Sequence, residues 1–94
     1  IYSFYTTMEF QFDPVKSESN REKHGIDFVE AQELWLDPNH IIVPARTLGE
    51  DRYALIGRWN NKIWTCIFTY RNENLRIISV RRARKNEETG YYHN

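Results

Sequence analysis

The chain has 94 residues, enough for one domain with a single hydrophobic core and too few for two. Its 13 basic and 13 acidic residues cancel, which argues against a general attraction to nucleic acid. The single cysteine, Cys66, excludes an internal disulfide and a cysteine-based zinc cluster, and no apolar run is long enough to span a membrane.

Three Trp, six Tyr and five Phe supply apolar surface for a core, so the chain is expected to fold. Cys66 lies in an apolar strand pattern and is expected to be a buried, reduced thiol. With no recognisable signal peptide, this predicts a cytoplasmic protein. Residues 1–7 precede Met8, and we interpret them as an extension or an expression remnant before a single domain over residues 8–94.

Charge is distributed unevenly along the chain. Between Met8 and Asp51, acidic residues outnumber basic ones by ten to four, whereas between Arg52 and Asn86 nine basic residues face Glu73 alone. The second half therefore indicates a local anion-binding site. A solvated sheet face would explain the same charges equally well.

The first predicted elements are a short strand and a polar helix. Residues 9–12 alternate as a half-buried strand does. Asp13 is placed to cap a helix with Pro14 at its first position, and Gly25 is placed to end it after about His24. Because this helix contains few apolar residues, it is expected to lie on the surface.

A second helix is predicted to begin after Asp27. Asp27 and Glu30 have the spacing of a capping box, and the Asp37-Pro38 pair ends the helix. Its buried stripe is formed by residues at helical spacing, namely Phe28, Ala31, Leu34 and Trp35.

The remaining chain predicts a meander of strands and a last helix. Pro44 indicates that the strand over residues 41–46 lies at an edge, and residues 47–51 form a loop. Asn60-Asn61 and Asn72-Glu73-Asn74 are expected as hairpin turns. The other strands cover residues 52–59, 62–71 and 75–82, and the last helix, weakened by Gly90, covers residues 83–93.

Alternation along the strands predicts which side chains share a face. The core face carries Trp64, Cys66, Phe68 and Tyr70. The opposite, open face is predicted to carry Arg52, Arg58, Thr65, Thr69, Ser79 and Arg81. Strict alternation sends Arg76 and Arg82 to the other face, where they would pair with acidic helix residues. The predicted fold is α+β, with two N-terminal helices, a four- to five-stranded antiparallel sheet and a C-terminal helix.

The open face indicates metal-free phosphoryl chemistry. No histidine pair has zinc-site spacing and no glycine-rich phosphate loop is present, so neither a metal nor another cofactor is expected. Cleaving RNA without a metal requires a base for the 2′-hydroxyl, cations for the phosphorane and an acid for the leaving oxygen. Arginines suit the second role. Lys23, His24 and Glu50 are candidates for proton transfer.

Each candidate also has a structural interpretation. His24 would cap a helix end, Lys23 would be a solvated side chain, and Glu50 would be a loop carboxylate or the partner of Arg52. Tyr91 would stack on a base or pack its helix onto the sheet.

Ordered motifs over residues 8–92 give the chain a resemblance to the BrnT toxins. They are Phe12-Asp13-Pro14-x-Lys16, Asn20, Lys23-His24-Gly25-Ile26-x-Phe28, Glu30-Ala31, Asp37-Pro38, Gly49-Glu50-Asp51-Arg52-Tyr53, Ile56-Gly57, Thr69-Tyr70-Arg71 and Arg76-Ile77-Ile78-Ser79-x-Arg81-Arg82-Ala83, with Glu87 and Tyr91. The KHGI and RIISxRRA motifs are short, but in this order and spacing they are highly specific together.

The resemblance implies a RelE-like fold and a ribonuclease neutralised by a BrnA-type antitoxin, whose complex binds operator DNA through the antitoxin. Carried over by position, the catalytic candidates are Lys23, His24, Glu50, Arg52, Arg81 and Arg82. Arg76, Glu87 and Tyr91 are weaker candidates, which together with Arg58 and Ser79 of the open face would contact RNA. The working hypothesis is a metal-independent endoribonuclease that arrests growth. The alternatives are a non-catalytic RNA- or antitoxin-binding module and a metal-dependent nuclease.

Overall fold

The computed structural model describes residues 9–46 and 49–94; the predicted extension over residues 1–7 and part of the predicted loop lie outside them. In chain order the elements are β1 (Phe10–Gln11), α1 (Pro14–His24), α2 (Phe28–Ala31) continuing as a 3-10 helix (Gln32–Leu36), β2 (Ile41–Ala45), β3 (Arg52–Trp59), β4 (Lys62–Arg71), β5 (Asn74–Arg82) and α3 (Lys85–Tyr92).

The strands form one five-stranded sheet in the order β1-β5-β4-β3-β2. The hairpin-connected strands are antiparallel, but β1 pairs with β5 in parallel. The prediction of an α+β fold is confirmed, whereas the prediction of a purely antiparallel sheet is wrong. Two parallel strands need a long connection between them. The chain provides one, because all the elements from α1 to β4 lie between β1 and β5 in the sequence.

The predicted helix boundaries follow from their capping residues. The Asp13 carboxylate accepts a hydrogen bond from the N–H of Val15 at 2.9 Å, and Gly25 ends α1 with φ of 82°. Asp27 and Glu30 form the predicted capping box at the start of α2. No helix among residues 9–46 and 49–94 is long and apolar enough to cross a membrane.

Helix α1 docks through polar side chains, as its composition requires. Its buried residues are Ser17 and Asn20. The Ser17 hydroxyl accepts a hydrogen bond from the N–H of Phe28 at 2.9 Å. The Asn20 amide group donates to the carbonyls of Ile26 at 2.8 Å and Val80 at 2.9 Å, and its oxygen accepts from the Val80 N–H at 3.3 Å. These bonds fix α1 beside the edge of β5.

The main core lies between α2, with its 3-10 continuation, and the face of β4 that carries the even-numbered residues. Trp35 is central to it and makes edge contacts with Phe10 and Phe68 at centroid distances of 5.0 and 5.2 Å. The predicted helix stripe and core strand residues are buried there: Phe28, Ala31, Leu34, Trp35, Trp64, Cys66 and Phe68. Tyr70, also predicted for this face, is 42% exposed at its end.

A β-bulge changes the alternation of β5. Ile67 of β4 pairs with Ser79, and the next residue, Phe68, pairs with Ile77, which leaves Ile78 as an extra residue. The bulge explains why Ile77, not Ile78, belongs to the core. The predicted alternation of β5 is therefore wrong before the bulge and correct after it.

The bulge places Arg76 on the face that alternation had assigned to Arg81. Arg76 pairs with Thr69 and Arg81 pairs with Thr65, and opposed residues of an antiparallel pair share a face. Arg82 pairs with Trp64 on the core face, as predicted. The prediction that Arg76 lies opposite Arg81 is wrong.

Helix α3 packs on the second face of the sheet. Tyr91 is buried there with Ile56 and Ile63 in a smaller apolar cluster, against which Ile41 and Ala83 also pack. α3 therefore covers the part of this face near the β3–β4 turn and does not reach the part near the start of β3. We call these the covered half and the uncovered half, with respect to α3 alone.

Asn60-Asn61 and Asn72-Glu73 form the two hairpin turns. Asn60 and Asn61 have φ of 52° and 62°, and Asn72 and Glu73 have φ of 50° and 68°. Two successive positive φ values define the type I′ turn, which matches the twist of paired strands. Because Arg71 already pairs with Asn74, the second turn has two residues, one fewer than predicted.

Candidate functional site

The uncovered half carries a cluster of arginines around Glu50. Arg71 donates from Nε and Nη2 to the Glu50 carboxylate at 3.3 and 3.0 Å, and Arg52 Nη2 lies 3.9 Å from it. The hydrogen bond from Arg71, with the positive charges of Arg52 and Arg76, holds the pKa of Glu50 below its ordinary value. We call Arg52, Arg71 and Arg76 the arginine cluster. Glu50 is its shared counter-ion.

Three adjacent strands supply this cluster, since Arg52 begins β3, Arg71 ends β4 and Arg76 lies near the start of β5. Nε of Arg52 is buried and has no hydrogen-bond acceptor among the residues that the structure describes. A buried guanidinium donor without an acceptor is costly, and an anion would supply one. Because the single negative charge of Glu50 balances only one of three arginines, the cluster keeps a net positive charge that attracts phosphate oxygens.

A groove of about 510 Å³ lies between α1 and the β5 bulge. Lys23 and His24 line it from the exposed last turn of α1, and Ile78 and Ser79 line it from β5. Asn20, which also lines the groove, fixes the separation of its two walls by binding both backbone groups of Val80. The structure thus brings three predicted site residues, Lys23, His24 and Ser79, to one groove.

Arg81 lies in the covered half and is paired. Its Nη1 and Nη2 donate to the two Glu87 carboxylate oxygens at 2.8 and 3.0 Å. Glu87 also accepts from the Thr65 hydroxyl at 3.0 Å and from the Arg84 N–H at 2.7 Å. The bond from Arg81 lowers the pKa of Glu87 to about 2 despite partial burial. This bidentate pair attaches the start of α3 to the sheet.

The predicted open face is therefore only partly open. Thr65 is completely buried and Thr69 is 1% exposed, so neither hydroxyl forms a free surface. Thr69 donates to the carbonyl of Asp51 at 2.6 Å and holds the start of β3. Arg82 lies on the other face, with its guanidinium carbon 5.5 Å from the centroid of the Trp64 ring.

Tyr91 serves packing, which was the second of its two predicted roles. It is 6% exposed, and its hydroxyl donates to Asp37 at 2.7 Å. The same carboxylate oxygen accepts from the Arg58 N–H at 2.8 Å. Partial burial works against the Asp37 charge, but hydrogen bonds from Tyr91 and from the N–H groups of Asn39 and Arg58 hold its pKa below the ordinary value.

The structure thus divides the predicted site residues among different places. Glu50, Arg52 and Arg76 meet in the uncovered half, and Lys23, His24 and Ser79 meet at the groove. Arg81 with Glu87, Arg82 with Trp64, and Arg58 near Tyr91 lie elsewhere. Sequence reasoning listed Arg71 and Asn20 in the family motifs but assigned neither a role in the site. Strand alternation would have found Arg71, which has the parity of Thr69, whereas no sequence signal indicates the three bonds of Asn20.

Two further features bear on the chemistry. Among residues 9–46 and 49–94, no three His, Cys, Asp or Glu side chains form a group that could hold a metal ion. Cys66 is fully buried, and burial raises the pKa of its thiol, so it is not poised as a nucleophile.

A small α+β domain with three arginines gathered around one carboxylate on a sheet face is suited to binding a phosphodiester. Comparison with protein families identifies the class: residues 12–87 match the family described as the ribonuclease toxin, BrnT, of type II toxin-antitoxin systems. The chain belongs to this family, which confirms the predicted resemblance. Membership implies an RNA target and an antitoxin partner. A search among curated proteins found no significant match.

Proposed function

We propose that this protein is a cytoplasmic endoribonuclease that cleaves cellular RNA without a metal ion and arrests growth. A BrnA-type antitoxin neutralises it, and the complex binds operator DNA through that antitoxin. The main support for this proposal is the arrangement of residues on β5. Ser79 borders the groove that holds Lys23 and His24, and it shares a sheet face with Arg76 of the arginine cluster. The groove and the arginine cluster thus each include a residue from the same face of β5, Ser79 and Arg76 respectively.

In this proposal the scissile phosphate binds the arginine cluster. Arg52 and Arg76 neutralise the phosphorane, since the guanidinium fork matches phosphate oxygens. Nε of Arg52, which has no acceptor within residues 9–46 and 49–94, supports this assignment. Glu50 is assigned to positioning the arginines and not to proton transfer. A carboxylate whose pKa is lowered by three cations is a weak base at neutral pH.

Proton transfer is assigned to the groove. His24 or Lys23 removes the proton of the 2′-hydroxyl, and the 2′-oxygen then attacks phosphorus. The bond from phosphorus to the 5′-oxygen breaks, and the second group protonates that oxygen. The products are a 2′,3′-cyclic phosphate and a 5′-hydroxyl. Arg81 and Arg82 have no direct part, because Glu87 holds the first and Trp64 contacts the second.

The tertiary likeness to RelE stays an expectation of the family resemblance. The strand order of the sheet and the parallel pairing of the short strand β1 with β5 are the features to compare with a RelE structure.

Incubating purified protein with single-stranded RNA and EDTA tests the proposal. We expect cleavage that survives EDTA, with cyclic phosphate ends. R76A lowers kcat/KM by roughly 100-fold or more through loss of a transition-state cation. R82A removes an arginine six residues away on the other face, and stays within about threefold of wild type, as exposed substitutions usually do.

Three results would count against the proposal. Activity abolished by EDTA indicates a metal-dependent nuclease. RNA or antitoxin binding without cleavage indicates a non-catalytic module. Equal losses in R76A and R82A place the scissile phosphate elsewhere on the molecule.

A further inference from the structure

Tyr92 and Arg58 form an exposed pair at the far end of β3 from the arginine cluster. Tyr92 is 58% exposed, and the guanidinium carbon of Arg58 lies 5.7 Å from the centroid of its ring. Arg58 Nη2 also donates to the Tyr92 hydroxyl at 2.8 Å. One aromatic face and one guanidinium thus stand side by side on the surface.

Asp37 and the buried Tyr91 hold this pair in place. Asp37 accepts from the backbone N–H of Arg58 and from the hydroxyl of Tyr91. The rings of Tyr91 and Tyr92 meet edge to face at a centroid distance of 5.2 Å. Because Tyr91 is buried in the cluster under α3, the position of Tyr92 is set by the fold.

The pair borders a cavity of about 300 Å³. Asn39 and Asn94 line the rest of it together with Tyr91, so its polar groups are side-chain amides, a guanidinium and phenolic hydroxyls. Oδ2 of Asp37 already accepts two hydrogen bonds, from the Arg58 N–H and from the Tyr91 hydroxyl. The cavity is at the lower end of the usual size for small-ligand sites.

We propose that this cavity is a subsite for one unpaired nucleotide of the RNA, outside the centre that cleaves it. The base stacks on Tyr92, Arg58 contacts the adjoining phosphate, and the asparagine amides face the base edge. Unpaired bases are commonly bound by an aromatic face with a nearby arginine. The lining combines tyrosine rings with hydrogen-bonding side chains, which suits the flat face and polar edge of a nucleobase.

The location fits a second contact on one strand of RNA. Arg58 and Arg52 have the same parity on β3 and lie six residues apart, roughly 20 Å at strand rise. A short single-stranded segment spans that distance. The subsite rests on the proposed function and predicts a contribution to RNA binding more than to the chemical step.

The test measures binding and cleavage separately. A fluorescein-labelled RNA dodecamer with 2′-O-methyl riboses, which cannot be cleaved through the 2′-oxygen, gives Kd by anisotropy. Initial rates on the unmodified dodecamer in EDTA give kcat and KM. We expect Y92L and R58Q each to raise Kd and KM by about fivefold or more, with kcat within about twofold. Y92F keeps the ring and stays close to wild type in Kd. R21Q removes an exposed positive charge of α1 and serves as the charge control.

The outcomes separate the subsite from the proposed function. Kd and KM within twofold of wild type in both Y92L and R58Q, at an unchanged unfolding midpoint, overturn the subsite. A wild-type protein that binds the methylated dodecamer and does not cut the unmodified one overturns the proposed function. In that case weaker binding by Y92L still supports the subsite.

Discussion

The side chain of Asn20 pairs with both backbone groups of Val80. It accepts from the N–H at 3.3 Å and donates to the carbonyl at 2.9 Å, as a neighbouring strand would. β1 has only two residues and pairs with Leu75 and Arg76, so the rest of this edge of β5 depends on α1. One buried amide therefore completes the sheet and sets one wall of the groove.

We expect N20A to lower the free energy of unfolding by about 2–4 kcal/mol, because three buried hydrogen bonds are lost and the Val80 backbone is left unsatisfied. Urea denaturation measures the change. S17A is the matched control: Ser17 is equally buried on the same helix but has one bond, to Phe28, and should cost about 1 kcal/mol. Equal losses in the two variants would refute a special role for the amide.

The pair of Glu87 with Arg81 predicts a dependence of stability on pH. Folding lowers the pKa of Glu87 from its ordinary value of 4.5 to about 2, so the carboxylate stabilises the fold fully above about pH 4.5. This contribution is lost as the pH falls from 4.5 towards 2. After allowance for solvent screening it amounts to about 1–2 kcal/mol.

E87Q isolates that contribution. We expect the unfolding free energy of wild type to fall towards that of E87Q as the pH is lowered from 5 to 2.5, and the two to differ most at neutral pH. Circular dichroism of thermal unfolding at several pH values measures this. A difference between wild type and E87Q that does not change with pH contradicts the assignment.

Glu50 offers a test of positioning against proton transfer. Its lowered pKa keeps the carboxylate ionised throughout the range above pH 4.5, so its role in holding the arginines does not titrate near neutrality. We expect E50Q to lower kcat/KM by roughly 10- to 100-fold and to leave the shape of the pH–rate profile unchanged between pH 5 and 8. Loss of one limb of the profile in E50Q would instead identify Glu50 as the base.

Gly90 and Gly25 should respond in opposite ways to alanine. Gly90 continues α3 without a break, and an added Cβ would come no closer than 3.9 Å to a neighbour, the Cδ1 of Ile41. We expect G90A to stabilise the protein by about 0.5–1 kcal/mol. G25A, at φ of 82°, should destabilise it by about 1 kcal/mol. Thermal unfolding measures both, and destabilisation by G90A would indicate that α3 needs flexibility at this point.

Residues close together in sequence determined much of the fold. Asp13, Asp27 and Gly25 bound the N-terminal helices, since caps act on neighbouring backbone groups. Alternation in β4 identified the core face, and the asparagine pair identified the β3–β4 turn. The ordered motifs also predicted the family correctly.

The tertiary structure decided the site. The bulge at Ile78 depends on the register between two strands, and it moved Arg76 to the face of Arg81. The position of α3 decided that Glu87 holds Arg81, whereas Arg52 and Arg76 remain near Glu50. Local propensity carries no information about such distant pairings, because their energy appears only when the strands and helices pack.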